Sequence, residues 1–323
     1  MKVNNKYLEL ALEISSCSEV SKALDSRDHP CNKVVDWQAK QWNEGKFKLY
    51  GSKMHRPEAW TGDLSSAPII FLSSNPSFDK GEKFPSWDSE KWSDEEISDF
   101  GANRFSFDPS RSFGATESRE IEGKDRTIGL DGQLSKRVAH WHWVRQFAGF
   151  VLGKGIDETS AINDYVMTEL VHCKSPHEQG VVEALTKCRA MWLTKIFSLS
   201  PARLIFITGV KAGTDFATLY ESEIPSDWGS WAKSKNGKGK GNWPRTANEL
   251  SALAKNGLWN LEGQKKNSIE IEIAGLKRLV VYVARPGGGG GLYAPWNYPN
   301  LIHPELIDYW REKAGIQSKN NER

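Results

Sequence analysis

The amino-acid sequence predicts an α/β fold built on a doubly wound, mainly parallel sheet, and three observations predict it. Four short apolar runs, Ala67–Leu72, Tyr165–Val171, Ala202–Gly209 and Leu279–Ala284, carry little polar interruption. That is how strands buried on both faces of a parallel sheet read. Helix-length patterns lie between them, and alternation of strand and helix implies right-handed parallel crossovers. The first run then stops at Ser73-Ser74-Asn75-Pro76-Ser77, small turn-forming residues that take the backbone off the sheet's carboxyl edge. Open α/β sheets bind ligands at that edge.

The chain's 323 residues, 38% hydrophobic and 11% aromatic, suffice for one large domain or two small ones with a folded core. Lys and Arg number 43 against 41 Asp and Glu, a formal net charge of +2, so any nucleic-acid face must be local. No apolar run approaches the ~20 residues of a membrane span. The N-terminus, Met1 to Lys6, lacks the apolar core of a signal peptide, so the expected location is cytoplasmic and no membrane partner is expected. Fourteen Trp, several in polar stretches, suggest aromatic surfaces as well as core. The four cysteines, Cys17, Cys31, Cys173 and Cys188, form no CxxC pair. They read equally as separate buried thiols, and a cytoplasmic setting disfavours disulfides.

In chain order, Tyr7 to Ala23 reads as one helix, and a second, carrying Trp37 and Trp42, begins near Val34 and ends at Gly45. Leu49 to Leu64, rich in Gly, Pro and basic residues, is an irregular approach to the first strand. Lys80 to Ser135 is a long polar insertion punctuated by Phe84, Trp87, Trp92, Phe100, Phe105, Phe107 and Phe113. One helix is expected inside it, Asp94 to Ala102, with Ser93 as N-cap and Glu96 closing a capping box. A loop of this length with these aromatics is expected to wall a pocket above Asn75.

Leu134 to Leu152 is helical, and the strand Tyr165–Val171 follows with Glu169 inside it. A carboxylate in an apolar strand must be paired, at the edge or functional. Helices are expected over Val181–Phe197 and Ala212–Tyr220, flanking the third strand. Trp228 to Arg245 interleaves lysines, Lys238 and Lys240 among them, with tryptophans and glycines. It reads either as a solvated loop or as an arm that tracks phosphates and stacks on bases. The last strand leads into Arg285-Pro286 and Gly287 to Gly291, which allow close backbone approach, and the tip Leu292 to Trp296 suits a wedge. A terminal helix starts at His303-Pro304-Glu305 with Pro304 at N1.

Taken in order, Ser73-Ser74-Asn75-Pro76-Ser77, Val171-His172-Cys173-Lys174, Cys188, Ile207-Thr208-Gly209 and Arg285-Pro286 resemble the uracil-DNA glycosylase superfamily, in a divergent bacterial branch akin to its iron-sulfur members. The resemblance runs from about Trp60 to the terminal helix, less the two insertions, and rests on the order of the motifs. It implies a three-layer αβα fold around a central, mainly parallel four-stranded sheet. The whole chain, 1–323, would form a single glycosylase-like domain with an N-terminal helical extension, 1–60, and insertions around 80–135 and 226–246. The implied activity is excision of a flipped-out base from DNA by hydrolysis of the N-glycosidic bond.

The resemblance also implies roles. Breaking that bond creates an oxocarbenium-like sugar and an anionic base, so the site needs a held water, a stacking surface and a group that stabilises the departing base. Asn75 would position water, with Asp79 as a second water activator. Phe78 would stack on the base. Ser73, Ser74 and Ser77 would serve phosphates or backbone shape, Ser74 on the base side and Ser77 on the DNA side, with Gly287, Gly288, Lys238 and Lys240 also contacting DNA. Relatives present His-Pro-Ser where this chain has Arg285-Pro286-Gly287, so Arg285 would act on the departing base electrostatically or contact phosphate, with His303 as an alternative.

Where iron-sulfur relatives read T-N-V-V-K-C this chain reads Thr168-Glu169-Leu170-Val171-His172-Cys173. Glu169 would repel uracil O4 but accept from an exocyclic amine, the mark of cytosine N4. The expected substrate is therefore a modified cytosine, as in some bacteriophage DNA, and the expected setting is anti-phage defence. Cys173 and Cys188 fit the second cysteine pair of the iron-sulfur branch. Cys17 and Cys31 lie in the region of the first, though their wide spacing departs from its CxxC; the resemblance implies that the four would ligate a structural 4Fe-4S cluster. Other readings are a uracil-DNA glycosylase of base excision repair, a catalytically silent DNA-binding module of the same fold, and a nucleotide-binding protein using Gly287 to Gly291 for phosphates.

Overall fold

In a computed structural model the described residues are 5–43, 54–78, 84–87, 92–103, 125–126, 137–226, 228, 267–283, 302 and 304–317. The elements are α1 (Asn5–Ser15), α2 (Glu19–Asp25), α3 (Asn32–Asn43), β1 (Ile69–Ser73), α4 (Asp94–Asn103), α5 (Ala139–Leu152), β2 (Tyr165–Glu169), α6 (Val181–Leu199), β3 (Leu204–Thr208), α7 (Val210–Leu219), β4 (Ser268–Ile273), β5 (Leu276–Val283) and α8 (Pro304–Ala314).

The strands form one mixed sheet in the order β2-β1-β3-β5-β4. β1 pairs parallel with β3 from Ile69↔Leu204 to Leu72↔Ile207, and β3 parallel with β5 from Leu204↔Leu279 to Thr208↔Val283. Ile69, Ile70, Phe71, Leu72 and Leu204 to Ile207 are buried, which explains their unbroken apolar runs. The α/β expectation is borne out, with five strands instead of four. The added strand, β4, pairs antiparallel with β5 through a tight hairpin, Ile273↔Leu276. Ala274 (φ 53°) and Gly275 (φ 77°) both take the left-handed conformation that a two-residue turn between twisted strands requires. β4 alternates Ile269, Ile271 and Ile273 with Glu270 and Glu272, the pattern of a half-exposed edge strand instead of a central one.

The N-terminal helix expected over Tyr7–Ala23 is two helices. Ser15, Ser16 and Ser18 surround Cys17 at the break, residues of modest helix propensity that hold a helix weakly. Cys17 thereby leaves the helix. The capping box before α4 forms as expected: the Ser93 N–H donates to Glu96 Oε2 at 2.8 Å, and the Glu96 N–H to Ser93 Oγ at 3.2 Å.

The chain divides into two compact units: residues 1–65, 73–138 and 166–200 in the first, and 66–72, 139–165 and 201–323 in the second. In the second unit, Phe71 and Phe206 share one sheet face and stack at 5.2 Å. Phe147 of α5 meets Phe206 edge-on at 4.9 Å, and fully buried Trp310 of α8 meets it at 5.3 Å. Tyr282 is paired with Ile207, one residue out of phase with Phe206, so it points to the opposite face. There it packs against Trp228 at 5.4 Å and against α7, where a Cβ on Gly213 would lie 2.2 Å from its ring. Helices therefore cover both faces of this sheet. Trp228, read from sequence as the start of a basic arm, is 2% exposed core.

In the first unit α1 packs on α4, with Gly101 close to Ala11, and buried Trp60 donates its indole N–H to the Ala102 carbonyl at 3.3 Å. Tyr7 of α1 donates its hydroxyl to the Leu199 carbonyl at the end of α6.

Candidate functional site

Two constellations in the first unit carry chemistry. One lies where the chain leaves β1 and β2. The Leu170 N–H donates to the Ser73 carbonyl at 2.9 Å, Val171 to Ser74 at 3.0 Å, and Ser175 to Pro76 at 3.2 Å. The bonds advance in the same direction along both segments, so Ser73–Pro76 and Leu170–Ser175 run side by side off the carboxyl edge. Asn75 and Glu169, 94 residues apart in sequence, thus come to one edge, Glu169 adjacent to the first of these bonds and Asn75 two positions beyond it.

Asn75 is half-buried and its orientation is dictated by its partners. Its Nδ2 donates to the Pro76 carbonyl at 2.9 Å, the Ser175 carbonyl at 3.2 Å and Ser175 Oγ at 3.1 Å. Two of these are carbonyls, which only accept, so the amide nitrogen must face them. Oδ1 is then the end turned away from that backbone. Glu169 is 8% exposed. Phe78 is half-buried, with Trp37 edge-on at 5.1 Å and His55 at 4.8 Å. His55 stacks in turn on Phe84 of the insertion at 5.2 Å, and Phe84 packs on Phe100 beside Trp92. The insertion's described aromatics therefore support the ring that sequence reasoning placed beneath a base. Ser77 is exposed, and buried Ser74 donates Oγ to Glu178 Oε1.

Buried polar contacts brace this loop. Lys174 and Glu58, with side chains 2% and 8% exposed, form an ion pair at 3.1 Å. The Lys174 ammonium also sits 3.8 Å from the Phe84 ring centroid, and Thr61 donates Oγ1 to Glu58 at 3.0 Å. Gln38 of α3 donates to the Lys174 carbonyl and accepts from the His55 N–H. Buried His172 donates Nδ1–H to the Glu58 carbonyl at 2.6 Å, and burial pushes its imidazole down to about 4, so it is neutral.

Sequence reasoning missed the turn that follows. His177 (φ 51°) and Glu178 (φ 57°) are consecutive non-glycine residues in the left-handed region, a conformation that costs ~1–3 kcal/mol per residue. Gly180 (φ 74°) continues it, and any Cβ there would lie 2.4 Å from the Val34 nitrogen. The Ser175-Pro176 dipeptide signalled a turn, but nothing in it signalled two left-handed residues.

The second constellation lines a small, partly open cavity of about 20 Å³. Cys17, from the break between α1 and α2, Cys31, at the start of α3, Cys173, after β2, and Cys188, within α6, all line it. The remaining wall includes Val20, Val34, Val171 and Trp192, with Glu19 and Lys187. Burial raises all four thiols, Cys31 to about 11. Cys173 is pushed further by Cys188, Cys17 and Cys31, so the four lie within electrostatic reach of one another. Opposing this, the backbone N–H groups of Glu19 and Val20 and the Trp192 side chain lower Cys17, and the His172 N–H donates to Cys188 Sγ at 3.5 Å. Glu19 gathers Lys22 at 2.7 Å, His29 at 3.0 Å and Lys187 at 3.2 Å, and these bonds, Lys22 first, hold its carboxyl at about 2. Among the described residues no group of three or more His, Cys, Asp or Glu side chains is arranged to hold a metal ion.

Asp79, Arg285, Gly287, Gly288, Lys238, Lys240 and His303 lie outside the described residues, as do the glycine run and the basic arm beyond Trp228. Asn75, Glu169, Ser74, Ser77 and Phe78 are brought to one region of the first unit, and the four cysteines to another part of the same unit. No helix among the described residues is long and apolar enough to cross a membrane. No protein-family model matches the chain, and comparison with curated proteins finds no match.

Proposed function

We propose that the chain is a DNA glycosylase that hydrolyses the N-glycosidic bond of a flipped-out modified cytosine, acting against phage DNA. The observation that carries this reading is the assembly at the β1–β2 edge, where a fixed amide and a buried carboxylate stand together as the ordered motifs require. Asn75, its donor end held by Pro76 and Ser175, turns Oδ1 outward to accept from a water and aim it at the sugar. Phe78, backed by Trp37 and His55, offers a ring for the everted base. Glu169 accepts from the exocyclic amine that cytosine has and uracil lacks, and a buried carboxylate facing uracil O4 would be left repelled instead. Arg285 is proposed to stabilise charge on the departing base, and Asp79, Ser77, Gly287, Gly288, Lys238 and Lys240 to complete the water and DNA contacts.

The four-cysteine cavity supports the same reading. Thiols raised by burial stay protonated unless a cationic group enters among them. One zinc ion, with Zn–S near ~2.3 Å, would draw its thiolates tightly together. A 4Fe-4S cluster would take four thiolates round one cavity, and the four cysteines line one. We therefore assign Cys17, Cys31, Cys173 and Cys188 as ligands of a 4Fe-4S cluster. Its contribution is structural: it ties the α1–α2 turn, α3, the loop after β2 and α6 to one another.

The test is mass spectrometry of free bases released from phage DNAs that carry different cytosine modifications. Release of a modified cytosine, lost on Asn75→Ala with DNA binding retained, supports the reading. Release of uracil alone, with every cytosine derivative ignored, sinks the cytosine assignment in favour of uracil repair. Binding that is indifferent to Asn75→Ala, with no release at all, leaves the silent DNA-binding module.

A further inference from the structure

Asn75 can orient a water but cannot take its proton, because an amide has no useful basicity near neutral pH. A group that accepts the proton must therefore reach the same place. The described carboxylate tied directly to the Asn75 segment is Glu178, whose Oε1 accepts from Oγ of Ser74, the residue preceding Asn75. The link is doubled: Asn75 Nδ2 donates to Ser175, and Ser175 opens the turn that carries Glu178. That turn holds His177 and Glu178 left-handed in succession, and the reversal folds the Glu178 side chain back onto Ser74 instead of letting it follow the chain into α6. Strained backbone of this kind is retained where the surroundings over-determine it, and clusters at working sites.

We propose that Glu178 is a further catalytic residue, the acceptor of the proton from the water that Asn75 orients, with Ser74 as the positioning residue that fixes its carboxylate. The inference rests on the glycosylase reading. In the step, the C1′–N bond breaks and its electron pair leaves with the base, while the water oxygen bonds to C1′. The water's proton passes to the Glu178 carboxylate, and the departing base takes a proton from solvent. Ser74, placed by sequence reasoning against the base, instead acts through Glu178. His177, exposed at the same turn, is not required for the step.

The test uses the full chain and single- and double-stranded oligonucleotides carrying 5-hydroxymethylcytosine, 5-methylcytosine or uracil, with base release followed as a function of pH. Glu178→Gln keeps an acceptor for Ser74 and nearly the same shape, but cannot accept a proton. It is expected to lose ~10²–10⁴-fold in turnover, the range for removal of a general base, with DNA affinity unchanged. The acid limb of the pH–rate profile should vanish with it, and added formate should restore part of the activity of Glu178→Ala. A purely structural Glu178 would give neither the flattened profile nor the formate rescue. Ser74→Ala is expected to lose less turnover and keep the acid limb. Wild-type release, with Glu178→Gln equally active or with its acid limb intact, overturns the role of Glu178 and leaves the glycosylase reading standing. Failure of the wild type to release any of the three bases, and of its companion assay on phage DNA, overturns both.

Discussion

The two compact units differ in what they bury. The second buries a continuous aromatic stack, Phe71, Phe147, Phe206 and Trp310, between sheet and helices, with fully buried Arg278 of β5 donating to the Ala202 and Ile273 carbonyls. The first unit buries a lysine, several carboxylates and a neutral histidine, and sets four thiols, three buried and Cys173 half-buried, round a cavity. Polar groups in such numbers stabilise only if each partner stays in place, and thiols facing one cavity stabilise most when something fills it. The contrast is one of cost: the described core of the second unit is mainly apolar, and the first carries more groups whose burial costs stability.

The largest expected effect tests the thiol cavity. In protein purified without oxygen, Cys188→Ala should lose bound iron and sulfide together with visible absorbance. Its thermal transition should fall further than that of any single aromatic variant, because ligand-linked stability is lost with the ligand. In iron-free protein the same substitution should cost little, since alanine is small and apolar and the cavity is already lined by Val20, Val34 and Val171. Equal cost in both preparations would show a plain core cysteine and remove the cluster.

Next come two substitutions of similar size but different origin. Trp310→Ala opens a cavity in the aromatic stack and should cost ~3–5 kcal/mol whatever the iron content. Lys174→Met keeps an apolar stem but removes the ammonium over Phe84 and strands Glu58 in the interior, and should also cost ~3–5 kcal/mol. Adding Glu58→Gln should recover much of that loss, and recovery in urea unfolding is the diagnostic. No double change would recover the tryptophan. If Glu58→Gln with Lys174→Met remains as unstable as Lys174→Met alone, the ion pair is not what braces the Ser175 loop.

The same contrast explains what could be read in advance. β1, β3 and the second half of β5, Leu279–Val283, are apolar runs, and nothing else buries Ile69–Leu72 or Leu204–Ile207 so simply, so the parallel sheet followed from pattern alone. β4 escaped notice because Ser268-Ile-Glu-Ile-Glu-Ile alternates, and an edge strand with two glutamates lacks the apolar weight of its neighbours. The break at Cys17 falls among three serines, residues of modest helix propensity whose weak local preference periodicity does not weigh. Asn75, Glu169 and the cysteines stood out as polar or reactive residues at telling places, whereas Glu178 was invisible. Its importance arises from two left-handed residues and a hydrogen bond to a serine 104 positions earlier, features made by the fold.

A smaller effect probes that turn. Gly180→Ala would combine a positive φ with a Cβ against the Val34 backbone, which cannot rotate aside as a side chain would. It should cost at least ~1 kcal/mol. If the Glu178 arrangement is coupled to the turn, base release should fall more than stability alone accounts for, and a melt and a turnover assay on one preparation separate the two. Gly275→Ala, at φ 77° with nothing within 4 Å of a Cβ, is the control: it strains the β4–β5 turn in the second unit and should leave turnover alone.

The smallest effect lies at the rim of the second unit, where polar pairing should matter least. Glu270 of β4 accepts from Lys313 at 2.8 Å and Lys277 at 2.9 Å, and these bonds, Lys313 first, hold its carboxyl below the usual carboxylate value. A carboxylate depressed on folding adds stability that is complete above its unfolded pKa, near ~4.3, and is lost as pH falls through the lower folded value. Exposure of the lysines screens the pair, so Glu270→Gln should cost no more than ~0.5–1 kcal/mol at neutral pH and nothing well below pH ~4. A loss of the same size at both pH values would mean that Glu270 acts through strand packing, and the second unit would then depend on its rim as the first depends on its interior.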